Sequence, residues 1–236
     1  MAVQSRLSIR SWQEPAPPTS GVAVAFDIFR CCTTIHTLFA RGAGEVYVAR
    51  TLKDAALDPR VKSWRVFSEL SQDIECAERF DNSPTRASSF EWADRRPALV
   101  ATTSGTPSFF AAKTFERVYI GSLVNYSALV RHLLELNKPV TLFPSALSGS
   151  GHVEDEIAAY GVATALEGFA NMPDFVRQCG EQAVERVQSS PRPAALAGKI
   201  STGAEDARLA LSLDRFDQVL CLEFEPENPI ARVVRV

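Results

Sequence analysis

Gly21-Val22-Ala23-Val24-Ala25-Phe26-Asp27-Ile28-Phe29 is an apolar run broken by one aspartate, and Arg30-Cys31-Cys32-Thr33-Thr34 follows it directly. A strand with one wet face alternates apolar and polar residues. This run does not alternate, so it predicts a strand buried on both faces, as inside a sheet that carries helices on either side. Thr33 to Arg41 then predicts a helix, stopped by Gly42 at the C′ position. Open sheets of this kind bind ligands at the carboxyl ends of their strands. Asp27, Arg30, Thr33 and Thr34 fall at such an end.

The same rhythm continues in both directions. Strands are expected at Ser5 to Ile9, Glu45 to Ala49, Arg65 to Glu69, Ala98 to Thr103, Arg117 to Ser122 and Pro139 to Phe143. Helical patterns fill the intervals at Thr51 to Val61, Gly105 to Thr114, Asn125 to Asn137, Val153 to Glu167 and Met172 to Ser189, while Pro191 to Ala204 reads as looser. Two extended segments, Gln218 to Glu223 and Ala231 to Val236, flank a Glu-Pro-Glu-Asn-Pro turn. The expected fold class is α/β: a three-layer α/β/α arrangement around a largely parallel or mixed central sheet. No repeat or linker divides the chain, so residues 1–236 are expected to form a single domain, with 1–20 an N-terminal strand and a proline-rich connection.

Composition narrows the function. The 236 residues are 46% hydrophobic, which suits a globular chain with a sizeable core. A net charge of −3 leaves no basic excess for nucleic acid or an anionic bilayer. Residues 1–20 lack the apolar core of a secretory signal, and no run reaches the length of a membrane span. The five cysteines, odd in number and without a C-x-x-C pair, suit buried thiols in the cytoplasm better than disulfides or zinc. Self-association stays open, because no interface is legible.

Polar residues recur at the other predicted strand ends: Glu69; Thr103, Gly105 and Thr106; Ser122 and Asn125; then Glu154 and Asp155. Ser, Thr, Asp and Asn are ordinary helix caps, so any one of these positions is explained without a ligand. The mixture points further. Arginine and hydroxyls suit a phosphate, and clustered carboxylates suit a divalent cation such as Mg²⁺. Other motifs do not fit: Asp27-x-Phe29 lacks the second acid of haloacid-dehalogenase phosphatases, and neither a G-x-S-x-G elbow nor a P-loop is present. His36 and His132 fall inside helices, where packing accounts for them, whereas His152 stands near the candidate site as a possible proton shuttle.

In chain order these segments resemble the 2-phosphosulfolactate phosphatase family. Asp27-Ile28-Phe29-Arg30-Cys31-Cys32-Thr33-Thr34 is similar to its Asp-x-x-Arg-x-x-Thr-Thr, and Asn82-Ser83-Pro84 to its Asn-Ser-Pro. Thr102-Thr103-Ser104-Gly105-Thr106 is similar to Thr-Thr-Asn-Gly-Thr, Ser122 with Asn125 to a Ser-x-x-Asn helix start, and Glu154-Asp155 to a late acidic pair. Ser104 replaces the family asparagine, and Pro107 stands where a basic residue is usual. The resemblance implies Mg²⁺-dependent hydrolysis of a small acidic phosphomonoester, 2-phosphosulfolactate first, in a step of coenzyme M biosynthesis. It implies catalytic roles for Asp27, Arg30 and Glu69, and metal binding by Asp27, Glu69, Glu154 and Asp155. Substrate binding would fall to Thr33, Thr34, Asn82, Ser83, Thr103, Gly105, Thr106, Ser122 and Asn125. Another phosphorylated hydroxy acid as substrate, or a non-catalytic metabolite-binding protein on the same fold, are the alternatives.

Overall fold

A computed structural model describes residues 7–14, 20–146, 151–168, 172–225 and 228–236. Parts of the proline-rich connection, of the glycine-rich stretch after residue 146 and of the Glu-Pro-Glu-Asn-Pro turn lie outside the described residues.

The apolar run forms β2 (Val22–Phe26), every residue of it buried. Preceding it is β1 (Leu7–Ile9), and after it come α1 (Cys31–Ala40) and β3 (Val46–Ala49). Gly42, just past α1, has a φ of +84°, the left-handed conformation expected of a helix-stopping glycine. The segment predicted as one helix at Thr51 to Val61 divides into α2 (Leu52–Ala55) and a 3-10 turn at Pro59–Ser63. Pro59, which lacks an N–H, starts that turn under the Asp58 cap. Next are β4 (Arg65–Phe67), β5 (Glu78–Phe80), α3 (Pro84–Ser89), β6 (Ala98–Val100), α4 (Gly105–Ala111) and β7 (Arg117–Gly121). The remainder is α5 (Tyr126–Leu136), β8 (Val140–Pro144), α6 (Val153–Glu167), α7 (Pro173–Gln188), α8 (Arg192–Lys199), α9 (Gly203–Ala210), β9 (Leu220–Phe224) and β10 (Ile230–Arg235).

Two of these elements correct the looser reading of Pro191 to Ala204: the stretch holds α8 and the start of α9. Pro191 and Pro193 sit at the cap and in the first turn of α8, where a missing N–H costs the helix nothing.

All ten strands of the described residues belong to one mixed sheet, in the order β1-β8-β2-β7-β9-β10-β3-β6-β4-β5. The strands β1, β8, β2 and β7 form one parallel block, and β3, β6, β4 and β5 another. The antiparallel pair β9–β10 joins them, β9 against β7 and β10 against β3. Four strands therefore separate β2 from β6, about 24 Å in a flat sheet at about 4.8 Å per strand. Yet a Cβ added at Gly105, in the segment after β6, would lie 2.5 Å from Asp27 Oδ2, just after β2. The segment 101–104 and a curl of the sheet together bring these ends close.

The cores agree with that curl. Alternate residues of both blocks, such as Ala25, Val48, Val100 and Ile120, converge with Ile35 of α1 and Phe109 of α4 in one concave interior. On the outer side, α5, α6 and α7 cover Val24, Tyr119 and Leu142, while Leu52 of α2 and Trp64 cover Tyr47, Val66 and Leu99. Helices thus lie on both faces of the sheet. All five cysteines are unpaired, and four of them are buried. Among the described residues no helix is long and apolar enough to cross a membrane.

Candidate active site

The curl opens a cleft of about 850 Å³ at the strand ends, with Asp27, Arg30, Glu69, Asn82, Thr103 and Ser104 in its walls. Four segments distant in sequence thereby meet in one place.

Asp27 ends β2. Its Oδ1 accepts the Cys31 N–H at 3.1 Å, at the start of α1, and its Oδ2 faces Gly105. Gly105 is needed there because any side chain would strike Asp27 and also Cys31, whose Cβ lies 2.7 Å from the position a Cβ would take. Burial, reinforced by Glu69 and then Glu154, pushes the Asp27 carboxyl up to about 7, against the opposing pull of the Cys31 N–H and Arg30. Glu69, after β4, is held from the next strand over: its Oε1 accepts Thr103 N–H at 2.8 Å and Thr103 Oγ1–H at 3.2 Å.

Arg30 is buried and tied from two directions. Its guanidinium donates to both oxygens of Asp81 at 2.7 and 3.0 Å, and to Asp206 Oδ2 at 3.1 Å. Burial works against its charge, but those two carboxylates more than offset it and raise the pKa. Asp206, fully buried on α9, also accepts from Ser83 Oγ, Thr85 N–H and Thr202 Oγ1. Ser83 caps α3, accepting the Arg86 N–H, and this fixes Asn82 beside the cleft. Asn82 is buried, and its Oδ1 has no hydrogen-bond partner among the described residues.

Several expected ligands do not reach the cleft. Thr33 donates to the Ile28 carbonyl and shares a hydrogen bond with Ser122, whose own N–H bonds Asn125 Oδ1. Asn125 in turn donates to the Gln218 carbonyl. Thr106 and Thr102 satisfy one another across the β6–α4 turn. Thr34 is fully buried in α1, its Oγ1 unpartnered. Apart from Thr34, these side chains satisfy backbone groups or each other where strands hand over to helices, so they hold the walls rather than form their surface.

The expected four-acid metal set is not assembled either. Among the described residues no three His, Cys, Asp or Glu side chains come together in a metal-binding arrangement. Glu154 is buried and claimed by Arg192, at 2.8 and 3.0 Å. Asp155 accepts the Ile28 N–H at 2.7 Å, and burial, with Asp27 and then Glu154 adding to it, raises its carboxyl well above the usual range. Asp155 therefore braces the segment after β2, and Glu154 anchors Arg192 of α8.

The oxygens of Asp27, Glu69 and Asn82 remain. They are hard donors, one of them an unpartnered buried carbonyl, and such a set suits Mg²⁺, which takes one or two carboxylates and fills its shell with water and phosphate oxygens.

The cleft also has basic lining residues: His152 at the start of α6, which the sequence placed near the site, and Arg192 and Lys199 of α8 with Arg79 of β5, which were not legible as part of it. Burial, with Arg192 next, lowers the His152 pKa. Arg79 donates to the carbonyls of Gln72 and Leu70. The available signal was the spacing of Arg192, Ala195, Leu196 and Lys199, one helix face at i, i+3, i+4 and i+7. Asp81 and Asp206 carried no local signal at all. Of the other two histidines, His36 is buried, accepts from Gln218 at Nδ1 and is lowered to about 4 by burial, and His132 packs on Tyr119.

A buried aspartate and a clamped arginine at strand ends, in a cleft also lined by the cations of α8, describe an enzyme cleft for a small anion. Comparison with known proteins gives the class: residues 11–223 match the family model for 2-phosphosulpholactate phosphatase. The chain belongs to that family of phosphoric monoester hydrolases. Among its relatives is a Symbiobacterium thermophilum protein named "Probable 2-phosphosulfolactate phosphatase", 30% identical over 65% of this chain and 67% of its own length. Proteins of the same name from Carboxydothermus hydrogenoformans and Deinococcus radiodurans are 30% and 29% identical, over 56% and 82% of this chain and 55% and 80% of their own lengths.

Proposed function

We propose that this cleft hydrolyses the phosphomonoester of a small organic acid with the help of Mg²⁺, 2-phosphosulfolactate to sulfolactate and phosphate being the first candidate reaction. The observation that carries the reading is the buried Asp27 carboxyl, set at a strand end within the influence of Glu69 and in the same cleft as the unpartnered Asn82 Oδ1. Asp27, Glu69 and Asn82 would hold the cation. When bound, Mg²⁺ polarises phosphoryl oxygens and offsets their charge in the transition state.

The chain's own residues supply position and field. Thr103 orients Glu69 through two hydrogen bonds, and Gly105 lets the segment after β6 close against Asp27. Asp81 and Asp206 hold the Arg30 guanidinium rigidly at the wall, so its charge needs no reorganisation when an anion arrives.

A second reading, another phosphorylated hydroxy acid, draws on Ser104, which lies in the cleft wall where the resembling family motif has asparagine. Pro107, the other departure, lines a separate surface hollow. Phosphate release from a panel of phosphorylated hydroxy acids, with Mg²⁺ and with a chelator, tests the proposal. Release that requires Mg²⁺ supports it, and the preferred substrate chooses between the two readings. Binding of one acid without any release would replace both with a non-catalytic metabolite-binding role.

A further inference from the structure

We propose that Lys199 reads a second anionic group of the substrate, a sulfonate or carboxylate at the end away from the phosphate; the inference rests on the phosphomonoesterase reading of the same cleft. Arg192, Ala195, Leu196 and Lys199 all line the cleft. Positions i, i+3, i+4 and i+7 form one helix face, so α8 turns a continuous stripe into the cleft. A cation stands at each end of that stripe, separated by about 10 Å for seven residues at about 1.5 Å each. Apolar Ala195 and Leu196 lie between.

The cleft's arginines are already committed. Arg30 is held by Asp81 and Asp206, Arg192 by both oxygens of Glu154, and Arg79 by two backbone carbonyls. Lys199 differs from them: among the described residues no protein group accepts from its ammonium and no carboxylate lies within ion-pair distance. Its charge therefore adds a positive field to the α8 side, and its three N–H donors remain for a ligand. Asp27, Glu69 and Asn82, where the phosphate and its cation would sit, line the same cleft, and Glu154, which acts on the Asp27 carboxyl, holds the Arg192 end of α8. A substrate spanning the cleft would place its remaining anion at α8.

The test compares 2-phosphosulfolactate with glycerol 2-phosphate, a branched phosphomonoester without a second anion, on wild type and Lys199→Met. Loss of one charge-assisted hydrogen bond is expected to lower the ratio of the two kcat/KM values about 10- to 100-fold, with Lys199→Arg retaining most of it. A ratio unchanged within about twofold, whatever the absolute rates, overturns the inference. If wild type releases phosphate from neither compound, the phosphomonoesterase reading fails by itself. Calorimetric titration of sulfolactate then decides for Lys199. Binding to wild type that weakens about tenfold in Lys199→Met supports the subsite. Equal binding to both proteins, or no binding to wild type, overturns it.

Discussion

Replacing Asp27 with asparagine should stabilise the metal-free protein at neutral and alkaline pH while abolishing the proposed phosphatase activity. Asparagine keeps the shape of the side chain and the oxygen that accepts the Cys31 N–H. It removes a charge from a site only 6% exposed. Because the Asp27 pKa rises from 3.8 to about 7 on folding, the native protein binds this proton more tightly than the unfolded chain does. Its contribution to stability is therefore fully present below about pH 4 and is lost as pH rises through about 7. The loss amounts to about 4 kcal/mol at about 1.36 kcal/mol per pH unit, since the shift spans about three units. Urea unfolding of wild type and Asp27→Asn, without divalent cations, should give similar stabilities at pH 4. The gap should widen steadily to about pH 7 and then hold at a few kcal/mol in the variant's favour. Added Mg²⁺ should narrow that gap by binding native wild type only. Curves that stay parallel from pH 4 to pH 8 would refute the electrostatic account of this carboxyl.

Other expectations follow from the same walls. Gly105→Ala forces a Cβ to within 2.5 Å of Asp27 Oδ2. The overpacking should cost about 1–3 kcal/mol in thermal or urea unfolding, with phosphate release falling further than the stability loss explains. Asp206→Ala strands the Arg30, Ser83, Thr85 and Thr202 donors and should destabilise by about 3–5 kcal/mol in urea, whereas Asp206→Asn, which keeps the volume, should cost less. Glu69→Gln removes the charge that, after burial, does most to raise the Asp27 carboxyl. The Asp27 titration, followed by carboxyl NMR in the metal-free protein, should move to lower pH; an unmoved midpoint would leave burial as the cause.

The sequence carried the fold further than it carried the site. The unbroken apolar character of Val22 to Phe26 predicts a two-sided strand, and both faces of β2 are indeed covered, Val24 outward and Ala25 inward. Where local rules competed, the reading slipped. The prolines of Pro191–Pro193 suggest a break, yet at the start of α8 they are compatible with the helix, and so Arg192 and Lys199 went unseen as cleft residues. Thr33, Ser122 and Asn125 look like ligands at strand ends, but each hydrogen bond they make satisfies an interior backbone group or a neighbouring hydroxyl. The clamp on Arg30 is illegible for a different reason. Asp81 and Asp206 meet it from 51 and 176 residues away, and no local pattern encodes such distances.

The β9–β10 pair has a consequence for how the molecule is made. Residues 220–235 must thread between β7 and β3, two strands laid down far earlier in synthesis, before the parallel blocks share a single sheet. Until that seam is zipped, each block exposes a bare strand edge able to pair with a neighbouring chain. Such late, long-range closure favours slow folding and makes the unsealed nascent chain the state most in need of chaperone protection.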